Sequence, residues 1–314
     1  MNFFKKLYSP TYPFFKYLRR DIKGLLGQGK KFFRNARGSR IIIYHGVCRS
    51  NPTRFNSLFI TEKTFEKHLI FYKEYFNVVS LNDYYEQKFD NNKFNICLSF
   101  DDGFANNYKY VLPLVEKYKV PATFFITGIR DAGYDILWND FLSIGAASDP
   151  EYINRQNKRL REGDFESKKQ FMRSRSNWNS FRKNPELSDF WLQMTEEEIR
   201  KLSLSPYVTI GSHGYSHSDL AQLKEDDLHD ELVSSKRFLQ DLIGKPVRSV
   251  AFPYGSYNET VVRESLHAGY DQLLVTEFNQ VTDKEIPSIK ERMGINPYIS
   301  VRNQMIANVK GHYA

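Results

Sequence analysis

Asn95-Ile-Cys-Leu-Ser-Phe100, followed at once by Asp101-Asp102-Gly103, is the stretch on which the fold turns. Six uncharged residues, apolar in the main, read as a strand buried on both faces. Two adjacent carboxylates then stand at its C-terminal end. Gly103 allows a turn into the helix marked by Tyr108, Val111, Leu112 and Val115. Outward from this unit the same alternation recurs. Ile41–Tyr44 is a β-branched run, and Thr61 is placed to cap a helix whose Phe65, Leu69, Tyr72 and Phe76 repeat at 4/3/4 spacing. Ala122–Thr127, Val208–Ile210, Ser249–Phe252 and Gln272–Val275 read as further strands. Leu228, Leu232, Leu239 and Leu242 mark a helix that ends at Gly244 before Pro246, and another lies near Glu259–His267. Repeated strand–helix units imply parallel strands, in a barrel or in an open sheet.

One segment breaks the rhythm. Residues 128–195 are polar, rich in Arg, Asn and Ser, and hold all three tryptophans, Trp138, Trp178 and Trp191. That is too long for an ordinary connection, so it reads as a mostly helical insertion over one end of the fold, with Trp138 a candidate for the substrate site. The charge is equally uneven. Residues 1–40 carry eleven basic side chains against Asp21 alone, while the whole chain has a net charge of +8, so residues 41–314 come to −2. The high pI therefore belongs to a basic, aromatic N-terminal arm, residues 1–38, set before a domain spanning 39–314. This argues against a general nucleic-acid surface and for one local anionic contact, such as a membrane surface. Cys48 and Cys97 make no disulfide framework. No signal-peptide pattern and no run near the roughly 20 apolar residues of a membrane span is present, which reads as a cytoplasmic chain, peripheral on the membrane if the arm docks there.

Four polar signals follow predicted strands. Asp101-Asp102-Gly103 is the first, although Asp-Gly is also a common turn pair. Gly211–His217, GSHGYSH, is the second: His213 and His217 are one helical turn apart, and with a carboxylate they make a hydrolytic metal set. Two unrelated histidines fit that spacing equally well. Ala251–Asn258, AFPYGSYN, is the third, where Pro253 and Gly255 stiffen a loop whose backbone N–H groups suit an oxyanion, or simply form a turn. Tyr44-His45 closes the first strand, and a lone histidine there is more often structural. Their joint occurrence at strand ends is what carries weight, because parallel α/β folds build sites there.

FDDG, then H-x-x-x-H, then PYG, in this order, resemble the polysaccharide deacetylase family (NodB homology domain, carbohydrate esterase family four), from about Arg40 to about Ile295. The resemblance implies a distorted (β/α)7 barrel and a divalent metal held by Asp102, His213 and His217. Zinc is the first choice, and nickel, cobalt or iron suit the same donors. It further implies Asp101 as base and the Tyr254 backbone N–H at the oxyanion. The implied substrate is an N-acetylated amino sugar in a glycan or its precursor, within surface polysaccharide or lipopolysaccharide assembly. An O-acetyl esterase, or a glycan-binding protein without catalysis, are the competing readings; the second predicts loss of a ligand or base, and all are present. Two departures stand out. Many relatives carry an Arg before the Pro-Tyr/Phe-Gly turn that pairs with the catalytic Asp, where this chain has Ala251-Phe252; Arg292 is the suggested substitute. Many also place a catalytic His on a late strand, where only His312 follows here. A subgroup of the family is similar in carrying a Tyr-His pair on the first strand, which implies His45 as the general acid.

Overall fold

The computed structural model describes residues 14–27 and 29–313; residues 1–13 of the basic arm lie outside them. The strands are β1 (Gly38–Tyr44), β2 (Val47–Cys48), β3 (Ile60–Thr61), β4 (Phe76–Val78), β5 (Phe94–Phe100), β6 (Ala122–Ile126), β7 (Val208–Ser212), β8 (Ser249–Ala251), β9 (Gln272–Val275) and β10 (Ile289–Gly294). β1 pairs in parallel with both β10 and β5, so the sheet β1-β5-β6-β7-β8-β9-β10 closes on itself as a seven-strand barrel. The expected distorted (β/α)7 barrel is what forms. The distortion is local: β4 pairs with Phe94–Ile96 and β6 with Ser99–Phe100, so two strands lie on successive stretches of β5.

Alternation along the strands sorts the side chains. Ile42, Tyr44, Ile96, Leu98, Phe100, Phe124 and Val250 face outward into the layer of helices. Ile41, Cys97, Phe125, Ala251 and Leu274 fill the interior. Cys97 is thus the small core residue its apolar run implies. Gly211 is required on β7, because a Cβ there would stand 2.4 Å from the Phe125 ring. On β5 the inward series Cys97, Ser99, Asp101 carries the first of the two adjacent carboxylates to the mouth.

The helix Glu62–Tyr75 starts where expected, with the Thr61 hydroxyl accepting the Thr64 N–H. Its buried face presents His68 and Tyr72 to Tyr44: the Tyr44 hydroxyl lies 3.0 Å from His68 Nδ1 and 2.7 Å from the Tyr72 hydroxyl. Burial pulls the His68 imidazole down to about 3, so it is neutral here. This closed polar network pins the end of β1 one residue before His45.

The insertion forms three helices, Trp138–Gly145, Pro150–Arg161 and Phe165–Ser174, the last two capped by Asp149 and Asp164. It has its own apolar cluster, including Phe141, Leu142, Leu160, Phe171 and Phe181. Its ends are fastened to two of the motif loops: Gly128 N–H donates to Gly214 O (3.1 Å), and Met194 N–H to Gly103 O (2.9 Å). In the described part of the basic arm, the helix Phe14–Leu25 lies against the C-terminal helix Val301–Lys310, and the Arg302 guanidinium of that helix stands 5.7 Å from the Phe33 ring of the short helix Lys30–Arg34. Asp21 accepts hydrogen bonds from Ser300 (2.5 Å) and Asn303 (2.8 Å), and Phe33 is buried beside Phe71, Tyr75 and Phe76. Asp21 and Phe33 thus fasten the arm to the domain, while Leu18, Ile22, Leu25 and Leu26 remain exposed.

Candidate active site

Because all barrel strands run parallel, the residues that follow them gather at one mouth. β5 ends at Phe100, and Asp101 N–H extends the ladder by donating to Tyr44 O at 3.0 Å. Asp102 and Gly103 then both take positive φ, 76° and 78°, which swings the chain off the strand. Of six non-glycine residues with positive φ among the described residues, three are Asp102, His217 and Tyr254. Such backbone strain gathers where the surrounding structure fixes a functional geometry.

The Asp102 Oδ1 atom lies 3.4 Å from His213 Nε2 and 3.2 Å from His217 Nε2. One atom from each of the three residues falls within 4.8 Å of the others, and all three residues are buried. Ligands about 2.0–2.2 Å from a common ion stand roughly 3.0–3.5 Å apart, so these separations suit a divalent cation. The tautomers suit it too. His213 Nδ1 lies 2.7 Å from Ala251 O, which can only accept, so the ring proton sits on Nδ1 and Nε2 is free to ligate. His217 Nδ1 lies 3.1 Å from the Tyr254 hydroxyl, an oxygen able to accept the ring proton, and its Nε2 faces Asp102. Burial tends to raise the Asp102 carboxyl, but the neighbouring His213 and His217 hold it well below the usual carboxylate range.

Asp101 is gripped from below by Arg292 on β10. Nη1 donates to Oδ1 at 2.7 Å and Nη2 to Oδ2 at 2.9 Å, with both residues buried. Arg292 also reaches Ser99 Oγ at 3.2 Å on its way up the barrel. The bidentate fork fixes the carboxylate plane. Burial alone would raise the Asp101 carboxyl; Arg292, then His213, keep it below its ordinary value. His45 is half-buried, one residue past β1, and its charge acts on both Asp101 and Asp102.

Two candidates have different places from those expected. Trp138 offers no sugar platform: it is 1% exposed and packs behind the histidine loop, its Nε1 donating to His217 O at 3.4 Å. Pro253 is buried within the turn Pro253–Gly255, shaping the loop and presenting no contact surface. In that turn Tyr254, besides its backbone, contributes a side chain whose hydroxyl holds His217 and whose ring lies 4.2 Å under the Arg161 guanidinium.

The sequence reading missed what the insertion contributes. Arg161 Nε binds Asp219 Oδ2 at 2.7 Å, and buried Lys168 donates to Ser218 Oγ at 2.6 Å. Ser218 bonds Ser216, and Glu231 accepts from Ser216 Oγ and from the backbone N–H groups of Tyr215 and Ser216. These contacts bolt the His213–His217 loop in place. Asp140, in the first turn of Trp138–Gly145, is 4% exposed and acts electrostatically on Tyr254. None of these has a sequence signature; only burial of a charge reveals them. Beside Tyr254 opens a groove of about 470 Å³ lined by Asn154, Asn157, Lys158, Arg161, Gln222 and Ser256 among others, groups suited to sugar hydroxyls.

Comparison with known proteins agrees with this geometry. The family model described as "Polysaccharide deacetylase" matches residues 88–273, more than half of the chain. Over 264 residues, 83% of this chain and 72% of the other, the sequence is 20% identical to "Putative polysaccharide deacetylase YxkH" of Bacillus subtilis (strain 168). The fold is similar to that of the Streptococcus pyogenes deacetylase PplD, solved in complex with acetate (TM-score 0.59, 18% identity, covering 85% of this chain and 96% of that one). It is also similar to IcaB from Ammonifex degensii (TM-score 0.57, 16% identity, 88% and 98%). At these identities the two structural likenesses speak to fold alone.

Proposed function

The chain belongs to the polysaccharide deacetylase family, and from that premise we propose that it is a metal-dependent hydrolase removing the N-acetyl group from an amino sugar in a glycan or glycan precursor. The observation that carries this reading is the convergence of Asp102, His213 and His217 within 4.8 Å beside a carboxylate clamped by Arg292. A divalent ion held by those three residues, zinc by preference, would supply Lewis acidity toward the acetyl carbonyl and a lowered pKa for water. The protein's own groups do the rest. Asp101 accepts a proton from the water whose oxygen attacks the acetyl carbon. Arg292 keeps Asp101 ionised and fixes which lone pairs face the mouth. The Tyr254 N–H is offered to the developing oxyanion. As the C–N bond breaks, His45 delivers a proton to the nitrogen, leaving acetate and a free amine. The groove, lined by charged groups as well as by the amides of Asn154, Asn157 and Gln222 and the Ser256 hydroxyl, supports a glycan rather than a small ester as substrate.

The test is acetate release from N-acetylated and O-acetylated oligosaccharides in parallel. We expect release from the N-acetylated one, its loss on chelation, and its recovery with Zn2+. Release from the O-acetylated sugar alone would make the protein an esterase. Full activity after exhaustive chelation would overturn the metal.

A peripheral site on the cytoplasmic membrane face, where surface polysaccharide or lipopolysaccharide precursors are assembled, is part of the same proposal. Its support is the exposed series Leu18, Ile22, Leu25 and Leu26 in a segment that also carries Arg19, Arg20 and Lys23. No helix among the described residues is long and apolar enough to cross a membrane. Sedimentation with anionic liposomes is expected to carry down wild type more than Leu18→Ser/Ile22→Ser/Leu25→Ser; equal sedimentation removes the idea.

A further inference from the structure

Asp140 is a carboxyl without an evident purpose in the fold. It belongs to the insertion, in the first turn of Trp138–Gly145, two residues after the Trp138 whose Nε1 donates to His217 O at 3.4 Å, and Asp102 acts on it electrostatically. It is 4% exposed, and its Oδ2 atom is buried with no hydrogen-bond partner. Burial, then the like charge of Asp102, push its carboxyl well above the usual range, and no Lys, Arg or His opposes them. A buried carboxyl left this way weakens a fold unless something arrives to satisfy it. The neighbouring acids differ: Asp101 has Arg292, and Asp219 has Arg161.

Charge balance names the missing partner. With Asp101 neutralised by Arg292, the mouth keeps two further acids: Asp102, which has His213 and His217 beside it, and Asp140, which nothing in the protein but a proton neutralises. A divalent ion at Asp102, His213 and His217 carries two positive charges. Asp140 stands outside the set of atoms lying within 4.8 Å of one another, so it is not a fourth member of that set. We propose that Asp140 is the second anionic partner of the metal centre, a positioning residue by which the insertion strengthens retention of the ion without coordinating it. This rests on the metal reading above.

The two roles open to a buried acid predict opposite stabilities. An acid that merely holds the fold together lowers the stability of metal-free protein when it is removed. An acid waiting for a counter-charge leaves the metal-free protein no less stable, and weakens only the ion. Zn2+ titration against a competing chelator, with melting curves of chelator-treated protein, separates them for wild type, Asp140→Asn and Asp140→Ala. We expect the Zn2+ Kd to weaken about 10–100-fold in both variants, the range for groups acting on a metal from beyond its ligands. The melting temperature without metal should stay level or rise. A Kd within threefold of wild type in a folded variant, or a metal-free melting temperature that falls in both, assigns Asp140 to the fold and overturns the proposal. A wild type that takes up no Zn2+ would instead overturn the metal reading, and this role with it.

Discussion

Asp101→Asn is expected to retain its Zn2+ and to lose turnover by about 10²–10⁴-fold, the usual contribution of a positioned base. Asp101 lies beside the metal set and outside it: its oxygens take the two Arg292 nitrogens at 2.7 and 2.9 Å, whereas Asp102 faces the histidines. The amide cannot take a proton from water, so chemistry suffers and ion binding does not. A second effect follows from burial. Arg292 is enclosed, and a neutral partner leaves its charge uncompensated, an error that costs about 3–5 kcal/mol in buried pairs. Asp101→Asn should therefore also melt earlier than wild type. The companion variant Arg292→Met shifts the balance the other way. With the guanidinium gone, only His213 and His45 still oppose burial at Asp101, and its carboxyl rises. The base is then protonated at higher pH, so the acid limb of kcat/KM should move upward in pH. Assays of metal content, melting and pH profile check all three. Turnover within a few-fold of wild type in Asp101→Asn, or loss of zinc along with activity, would show that the base lies elsewhere.

The sequence was most legible where a strand and its chemistry coincide. Asn95–Gly103 displays both, because an apolar run cannot carry two carboxylates except at its end. The histidine pair displays its one-turn spacing, and Gly244 and Thr61 display their capping roles. Arg292 could be proposed only from a departure, the absent arginine before Pro253; its pairing with Asp101 is a contact between residues 191 positions apart. What could not be read is whatever depends on burial alone. β4 is three residues long and pairs with part of one strand. Lys168 and Glu231 look like solvated helix charges until the chain folds over them, and Asp140 looks the same. Trp138 was misplaced for a related reason: aromatics near a carbohydrate site suggest stacking, but a large ring is as readily used to pack a loop. The N-terminal arm carries a strong charge signal that hides Phe33 and Asp21, the two residues through which it docks.

His45→Ala is expected to reduce deacetylation of an amide about 10²–10⁴-fold with zinc content unchanged, and to reduce hydrolysis of an activated aryl acetate far less. His45 is 56 positions before Asp101 in sequence, yet barrel closure makes β1 the neighbour of both β5 and β10. The Asp101 N–H donates to Tyr44 O, so His45 is the next residue along that ladder. Its backbone is held by the Tyr44–His68–Tyr72 network below, while its own side chain is half-buried. An imidazole there suits an acid, since its ring nitrogen can carry a proton and pass it to the departing nitrogen. The two substrates divide the roles open to it. An amine leaves only when protonated, so an amide depends on the acid. A nitrophenolate leaves as the anion and does not. If His45 instead orients Asp101 through its charge, or supports the strand end, attack by water is impaired and both substrates suffer alike. Equal losses on the two, or zinc lost with activity, would therefore move His45 from proton donor to positioning residue and leave the amine's proton to another group at the mouth.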